Sequence, residues 1–260
     1  MSWSRILTSF GFGPVSPRAA GVAARVPDGA VVYAVGDVHG ERRLLDGLLE
    51  AIAADAAALP PGTDRHLVFI GDYVDRGLES RSVLDLLTGD PLPGFRKRFL
   101  LGNHEASMLH FLEDPQGGGA WLEFGGLETL ASYGVAASVA PGPAKRAALR
   151  DRLDAALPAA HRHFLRTLEH RVELGDYLFV HAGVRPGRAL DRQVLEDLLW
   201  IREPFLSSAR DHGKVVVHGH TVVEAPELLP NRIGIDTGAY ATGVLTALVL
   251  AGTERRVLQT

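Results

Sequence analysis

Asp37, His39, Asp72, Asn103, His181 and His220 each stand in a short glycine-containing motif: GDVHG at 36–40, GDYVDRG at 71–77, GNHE at 102–105, HAG at 181–183 and HGHT at 218–221. Together they offer carboxylate oxygen, imidazole nitrogen and amide oxygen. That donor set suits divalent first-row metals, manganese first, with iron, zinc or nickel as alternatives. One cation cannot use all of these donors comfortably, whereas two held about 3.5–4 Å apart by a bridging carboxylate can. Two such cations, set against two aspartates and one hydroxide, leave a net positive charge that attracts phosphate. Arg76 adds a guanidinium fork suited to phosphate oxygens.

Each motif directly follows a short apolar run or forms its end. VVYAVG, HLVFIG, RFLLG, YLFVHAG, KVVVHGH, RIGID and LTALVLAG are predicted strands, several with the continuous apolar character of buried ones. In open α/β sheets ligands bind beyond the carboxyl ends of strands, where glycine lets the backbone turn closely, so the motifs are expected to converge on one site. Leu44, Leu45, Leu48, Leu49 and Ile52 recur at helical spacing, Arg81 to Leu87 predicts a second helix, and EDLLW ends a later one. From His104 to about Arg171 the pattern is mostly helical, with a loop at Gly117, Gly118 and Gly119 and a helix start at Pro158. The expectation is a layered α/β fold with a helical elaboration between the third and fourth motifs.

Composition narrows the function classes. The chain has 260 residues, 46% of them hydrophobic, enough for one compact domain. A net charge of −4 with dispersed Lys and Arg argues against nucleic acid as a partner. Without cysteine there are neither disulfides nor thiolate ligands, which suits a cytoplasmic protein. No stretch approaches the roughly 18 apolar residues of a membrane span. Residues 1–29 are expected to form a flexible arm and 30–260 the catalytic domain. Nothing in the sequence speaks to the oligomeric state.

In this order, from about Ala30 to Ala239, the motifs resemble the phosphoprotein phosphatase branch of the calcineurin-like metallophosphoesterases, in its bacterial and bacteriophage form. The resemblance implies a layered β-sandwich flanked by helices. It implies that Asp37 and His39 hold one metal, that Asp72 bridges, and that Asn103, His181 and His220 complete the second. His104 matches the general acid, Asp75 the carboxylate that orients it, and Arg76 a phosphate clamp. In LLWIRE, at 198–203, Arg202 matches a second clamp, a surface ion pair with a neighbouring Glu being the alternative. Leu78 and Leu101 depart from the family pattern without removing a ligand.

The implied activity is hydrolysis of phosphoserine, phosphothreonine or phosphotyrosine in proteins, by direct attack of hydroxide held between the cations. Two rivals stand beside it. One is a symmetrical diadenosine tetraphosphate hydrolase, a group in which the residue matching Asp75 is commonly alanine. The other is a catalytically silent phosphate-binding scaffold, which predicts a lost ligand. A lone Gly-Asp pair is ordinarily a turn, and only the joint occurrence of the motifs reverses that reading. His218 is expected to be a strand residue or a support for a ligand, and His66, His110, His161, His163, His170 and His212 to have structural roles.

Overall fold

The computed structural model describes residues 23–137 and 141–260. The chain runs through β1 (Ala30–Val35), α1 (Arg42–Ala57), β2 (Asp64–Phe69), α2 (Ser80–Leu87), β3 (Arg96–Phe99) and α3 (Asn103–Glu113). A 3-10 segment, Gly117–Phe124, leads to α4 (Gly126–Ser132), α5 (Pro143–Ala156) and α6 (Ala159–Thr167). Then follow β4 (Val172–Leu174), β5 (Tyr177–Phe179), α7 (Leu195–Trp200), β6 (Val215–His218), β7 (Glu227–Leu228), β8 (Arg232–Gly234), α8 (Ala239–Thr242), β9 (Thr246–Ala251) and β10 (Glu254–Gln259).

The strands form two five-stranded sheets, ordered β10-β9-β1-β2-β3 and β4-β5-β6-β8-β7. Side chains alternate across a strand. Val31, Tyr33 and Val35 therefore join the cluster containing Leu45, Leu48 and Ile52 of α1, while Val32 and Ala34 join Phe179, Val217 and Ile233 of the other sheet. Both faces of β1 are covered, which is why its sequence is apolar without interruption. Each fully buried Val contributes about 1.5–3 kcal/mol relative to exposure. The outer face of the second sheet packs Leu178, Val180 and Val216 against Leu198 near the end of the α7 segment.

Each sheet contains a run of parallel strands: β1 with β2 and β2 with β3, then β5 with β6 and β6 with β8. Parallel strands end on the same side, so the segments that follow them meet at one edge of the sandwich.

Two expectations change. Gly117, Gly118 and Gly119 open a 3-10 helix instead of a loop, and glycine is required within it because a Cβ on Gly118 would sit 2.5 Å from the Phe111 Cα. The inner end of the expected arm, residues 23–29, also packs on the domain. The arm's residues 1–22 lie outside the described ones, but Ala24 and Val26 are buried between the sheets, and Val26 donates its N–H to Gly252 O at 3.1 Å. Among the described residues, no helix is long and apolar enough to cross a membrane.

Candidate active site

The parallel strands deliver polar residues to the same edge. Asp37 follows β1, Asp72 follows β2, Asn103 opens α3 just past β3, and His181 and His220 follow β5 and β6. All five are buried. The motif glycines permit this crowding: a Cβ on Gly219 would overlap Asp37 Oδ1, and one on Gly102 would overlap Asp72 Oδ1.

The backbone marks the same place independently. Among the described residues, the non-glycine positions with positive φ are His39 (46°), Asp72 (53°), Asp75 (73°), Arg76 (68°) and His220 (63°). Each such conformation costs on the order of 1–3 kcal/mol and persists only where the surroundings impose it, as active sites do. All of these residues belong to the site expected from sequence.

Two ligand groups share Asp72. One contains His39, Asp72 and His104, and the other contains Asp72, His181 and His220; within each, ligand atoms lie within 4.8 Å of one another. Asp72 turns a different oxygen to each: Oδ2 is 3.5 Å from His39 Nε2, and Oδ1 is 3.5 Å from His181 Nε2. Asn103 belongs with the second group, since its Oδ1 lies 2.7 Å from His181 Nε2 and 2.8 Å from His220 Nδ1. Asp37 stands beside the groups, its Oδ2 accepting the His220 N–H at 3.0 Å.

These donors fit divalent cations. Asp37 Oδ1 and His220 Nε2 are buried and lack a hydrogen-bond partner among the described residues. His39 Nδ1 donates to Val74 O at 3.0 Å and His181 Nδ1 to Ile70 O at 2.9 Å, which leaves each Nε2 with its lone pair toward Asp72. Burial holds the imidazoles neutral, pushing His39 down to about 3 and His220 to about 3. Asp37 goes the other way: burial, then the nearby Asp236 and Asp72, raise its carboxyl well above the usual range. A cation would relieve that repulsion.

His104 differs from the other imidazoles. Its Nδ1 donates to Asp75 Oδ2 at 2.7 Å, and its Nε2 lies 3.9 Å from Asp72 Oδ2. Burial alone would lower its proton affinity, but Asp72 and then Asp75 outweigh that and raise it to about 9. The carboxylate held on its Nδ1 thus sets His104 apart from His39 within the first group.

Above these residues opens a cavity of about 520 Å³. His39, Asp72, Asn103, His104 and His220 line it from below, and Arg76 and Arg202 line it as cations. Asp37 and His181 are in contact with its lining residues without lining it themselves. Arg76 donates to Tyr240 Oη at 2.8 Å, and Arg202 donates to His220 O at 3.4 Å. The neighbouring Glu203 accepts from Ser207 Oγ at 2.5 Å instead of pairing with Arg202. The remaining walls carry apolar groups, among them Phe124, Trp200 and Val222, all exposed.

His218 ends β6 fully buried against Phe205, and belongs to neither ligand group. His161 stands 2.7 Å from Tyr133 Oη and belongs to neither ligand group.

Several site residues escape the motif reading. Glu105, inside GNHE, accepts backbone N–H groups of Asp72, Tyr73, Val74 and Gly102 at 2.7–3.1 Å and so shapes the loop that carries Asp72. Asp236 follows β8 as Asp37 follows β1, and lines the cavity; burial, with Asp72 adding to it, raises its carboxyl to about 6. RIGID had the same strand, glycine and acid signature as the recognised motifs. Trp121, Thr129 and Tyr240 left no such signal.

The chain is similar to known proteins along most of its length. The chain is 28% identical over 227 residues to serine/threonine-protein phosphatase 2 of Salmonella typhimurium, covering 83% of this chain and 90% of that one. It is 26% identical over 237 residues to the asymmetrical bis(5'-nucleosyl)-tetraphosphatase PrpE of Geobacillus thermodenitrificans, covering 82% and 88%. A solved structure described as a candidate diadenosine tetraphosphatase superposes with a TM-score of 0.62 at 24% identity, covering 92% of this chain and 98% of that one, which supports the layered fold. The calcineurin-like phosphoesterase family model matches residues 30–242, the span that holds every strand-end donor described above, and the chain belongs to that family.

Proposed function

We propose that this protein is a phosphomonoesterase acting on phosphoserine and phosphothreonine, and on phosphotyrosine as a secondary substrate, in proteins. Asp37, His39 and Asp72 would hold one divalent cation, and Asp72, Asn103, His181 and His220 a second, with manganese the first candidate. When bound, such ions supply an activated water nucleophile and neutralise charge developing on the phosphoryl oxygens. Arg76 and Arg202 grip the phosphate from the cavity wall, and His104 protonates the departing oxygen.

The observation that carries this reading is the His104–Asp75 pair at 2.7 Å. A serine alkoxide is a poor leaving group and needs a proton as its bond to phosphorus breaks. A nucleotide leaving from a phosphoric anhydride departs as a stable phosphate anion and gains far less from a proton donor. A buried, carboxylate-held imidazolium is therefore suited to esters of alcohols. The absence of cysteine from the sequence is in keeping with action in the cytoplasm.

Cleavage of a dinucleoside tetraphosphate is the second reading, favoured by the PrpE relatives, whose names specify asymmetrical cleavage where the rival weighed from sequence was a symmetrical hydrolase. Side-by-side assay decides: kcat/KM for phosphoserine peptides should exceed that for diadenosine tetraphosphate by about 10-fold or more. The reverse order would overturn the protein phosphatase reading.

Arg76→Ala and Arg202→Ala test the clamps. Both side chains are exposed, so melting temperature and metal content should hold. KM should rise and kcat fall, each on the order of 10-fold, because a guanidinium meets phosphate charge in the ground and transition states alike. Unchanged kinetics in either variant would remove that arginine from the site.

A further inference from the structure

The helical elaboration reaches the reacting groups through Asp75. Trp121, in the 3-10 segment, donates its indole N–H to Asp75 Oδ2 at 2.7 Å, the same oxygen that accepts from His104. Thr129, in α4, donates its hydroxyl to Asp75 Oδ1 at 2.6 Å and accepts the Asp75 backbone N–H at 2.9 Å. Ser80 Oγ stands 3.1 Å from the same Thr129 oxygen. Thr129 has one hydroxyl proton, committed to the carboxylate, so Ser80 is the donor in that pair. All of these side chains are buried.

The surrounding backbone is built to match. Gly125, with φ 109°, lies against the loop carrying Asp75 so closely that a Cβ would sit 2.6 Å from the Arg76 nitrogen. A Cβ on Gly126 would sit 2.6 Å from the Trp121 ring. The segment thus presses its two donors onto one carboxylate.

An aspartate carboxyl rotates over a broad torsional well, so a single bond from His104 would leave both groups free to swing. Donors on both oxygens remove that freedom. Resting on the general-acid reading of His104, we propose that Trp121 and Thr129 are positioning residues of the reaction: they lock the Asp75 carboxylate so that His104 presents its Nε2–H to the leaving oxygen. Neither lies in a recognised motif. The helical elaboration thereby contributes to proton delivery as well as to the shape of the cavity wall.

The test uses the full chain with its cations, Trp121→Phe, Thr129→Val and Thr129→Ser, and aryl phosphates graded from p-nitrophenyl to phenyl. Trp121→Phe and Thr129→Val should each lower kcat about 10-fold for phenyl phosphate and little for p-nitrophenyl phosphate, at unchanged KM and metal content. Thr129→Ser, which keeps the hydroxyl, should restore the rate. In an Asp75→Asn background neither substitution should cost anything further. Equal losses for all leaving groups, a change in KM alone, or full additivity with Asp75→Asn would overturn the proposal. Should Trp121→Phe fail to fold, the contrast between Thr129→Val and Thr129→Ser decides. Aryl phosphates keep this test separate from the protein-substrate reading, which falls if phosphopeptides are poor substrates whatever these variants do.

Discussion

Asp72→Asn should lower kcat/KM on the order of 10³-fold and reduce the occupancy of both cations together. The basis is geometric: one carboxylate turns Oδ2 to the group containing His39 and Oδ1 to the group containing His181 and His220. Asparagine keeps the shape and tolerates the positive φ of 53°, so the fold should survive. It removes the negative charge and leaves an N–H₂ facing one group, which repels a cation where an oxygen attracted it. Elemental analysis of protein isolated without chelator should find close to two metals per wild-type chain and fewer than one in the variant. Loss of one metal with full retention of the other would dismiss the bridge. Melting curves give a reading without turnover, since ions that bind only the folded chain should raise the wild-type midpoint more than that of Asp72→Asn.

His104→Asn should cost about 10²- to 10⁴-fold in kcat for serine phosphates and far less for p-nitrophenyl phosphate. p-Nitrophenolate leaves readily as an anion, whereas an alkoxide does not, so losing the donor should steepen the dependence of rate on leaving-group pKa. Asp75→Asn should steepen it more weakly, because Asp75 acts through the imidazole it bonds at 2.7 Å. The double variant should be little worse than His104→Asn, as members of one unit are strongly non-additive. A uniform loss across leaving groups would instead mean that His104 orients the nucleophile or binds phosphate.

The strand-end donors were legible because chemistry and secondary structure coincide in short stretches: an apolar run with a glycine and a donor at its end. Asp236 carried that same signature after β8, and Glu105 lay inside a recognised motif, so both were within reach of sequence reasoning. The alternating burial of β1, shared between two cores, was legible as a continuous apolar run.

Other features depend on approach through space. Trp121 and Thr129 stand 46 and 54 positions from Asp75, and no local pattern marks a hydrogen bond across that separation. The positive φ angles of His39, Asp72, Asp75, Arg76 and His220 are likewise imposed by contacts between distant segments, since local preference disfavours them.

By itself the sequence determined the donor types, their order along the chain and their places at strand ends, because these follow from residue identity and apolar patterning. The tertiary structure alone decided the electrostatic field at each imidazole. His39 and His104 are the same side chain, and burial disfavours the charged form of both. His39 keeps that penalty and falls to about 3, while Asp72 and Asp75 reverse it for His104 and lift it to about 9. Residue type fixes the groups available, but the field at each atom depends on charges and burial contributed by segments that meet only in the folded chain.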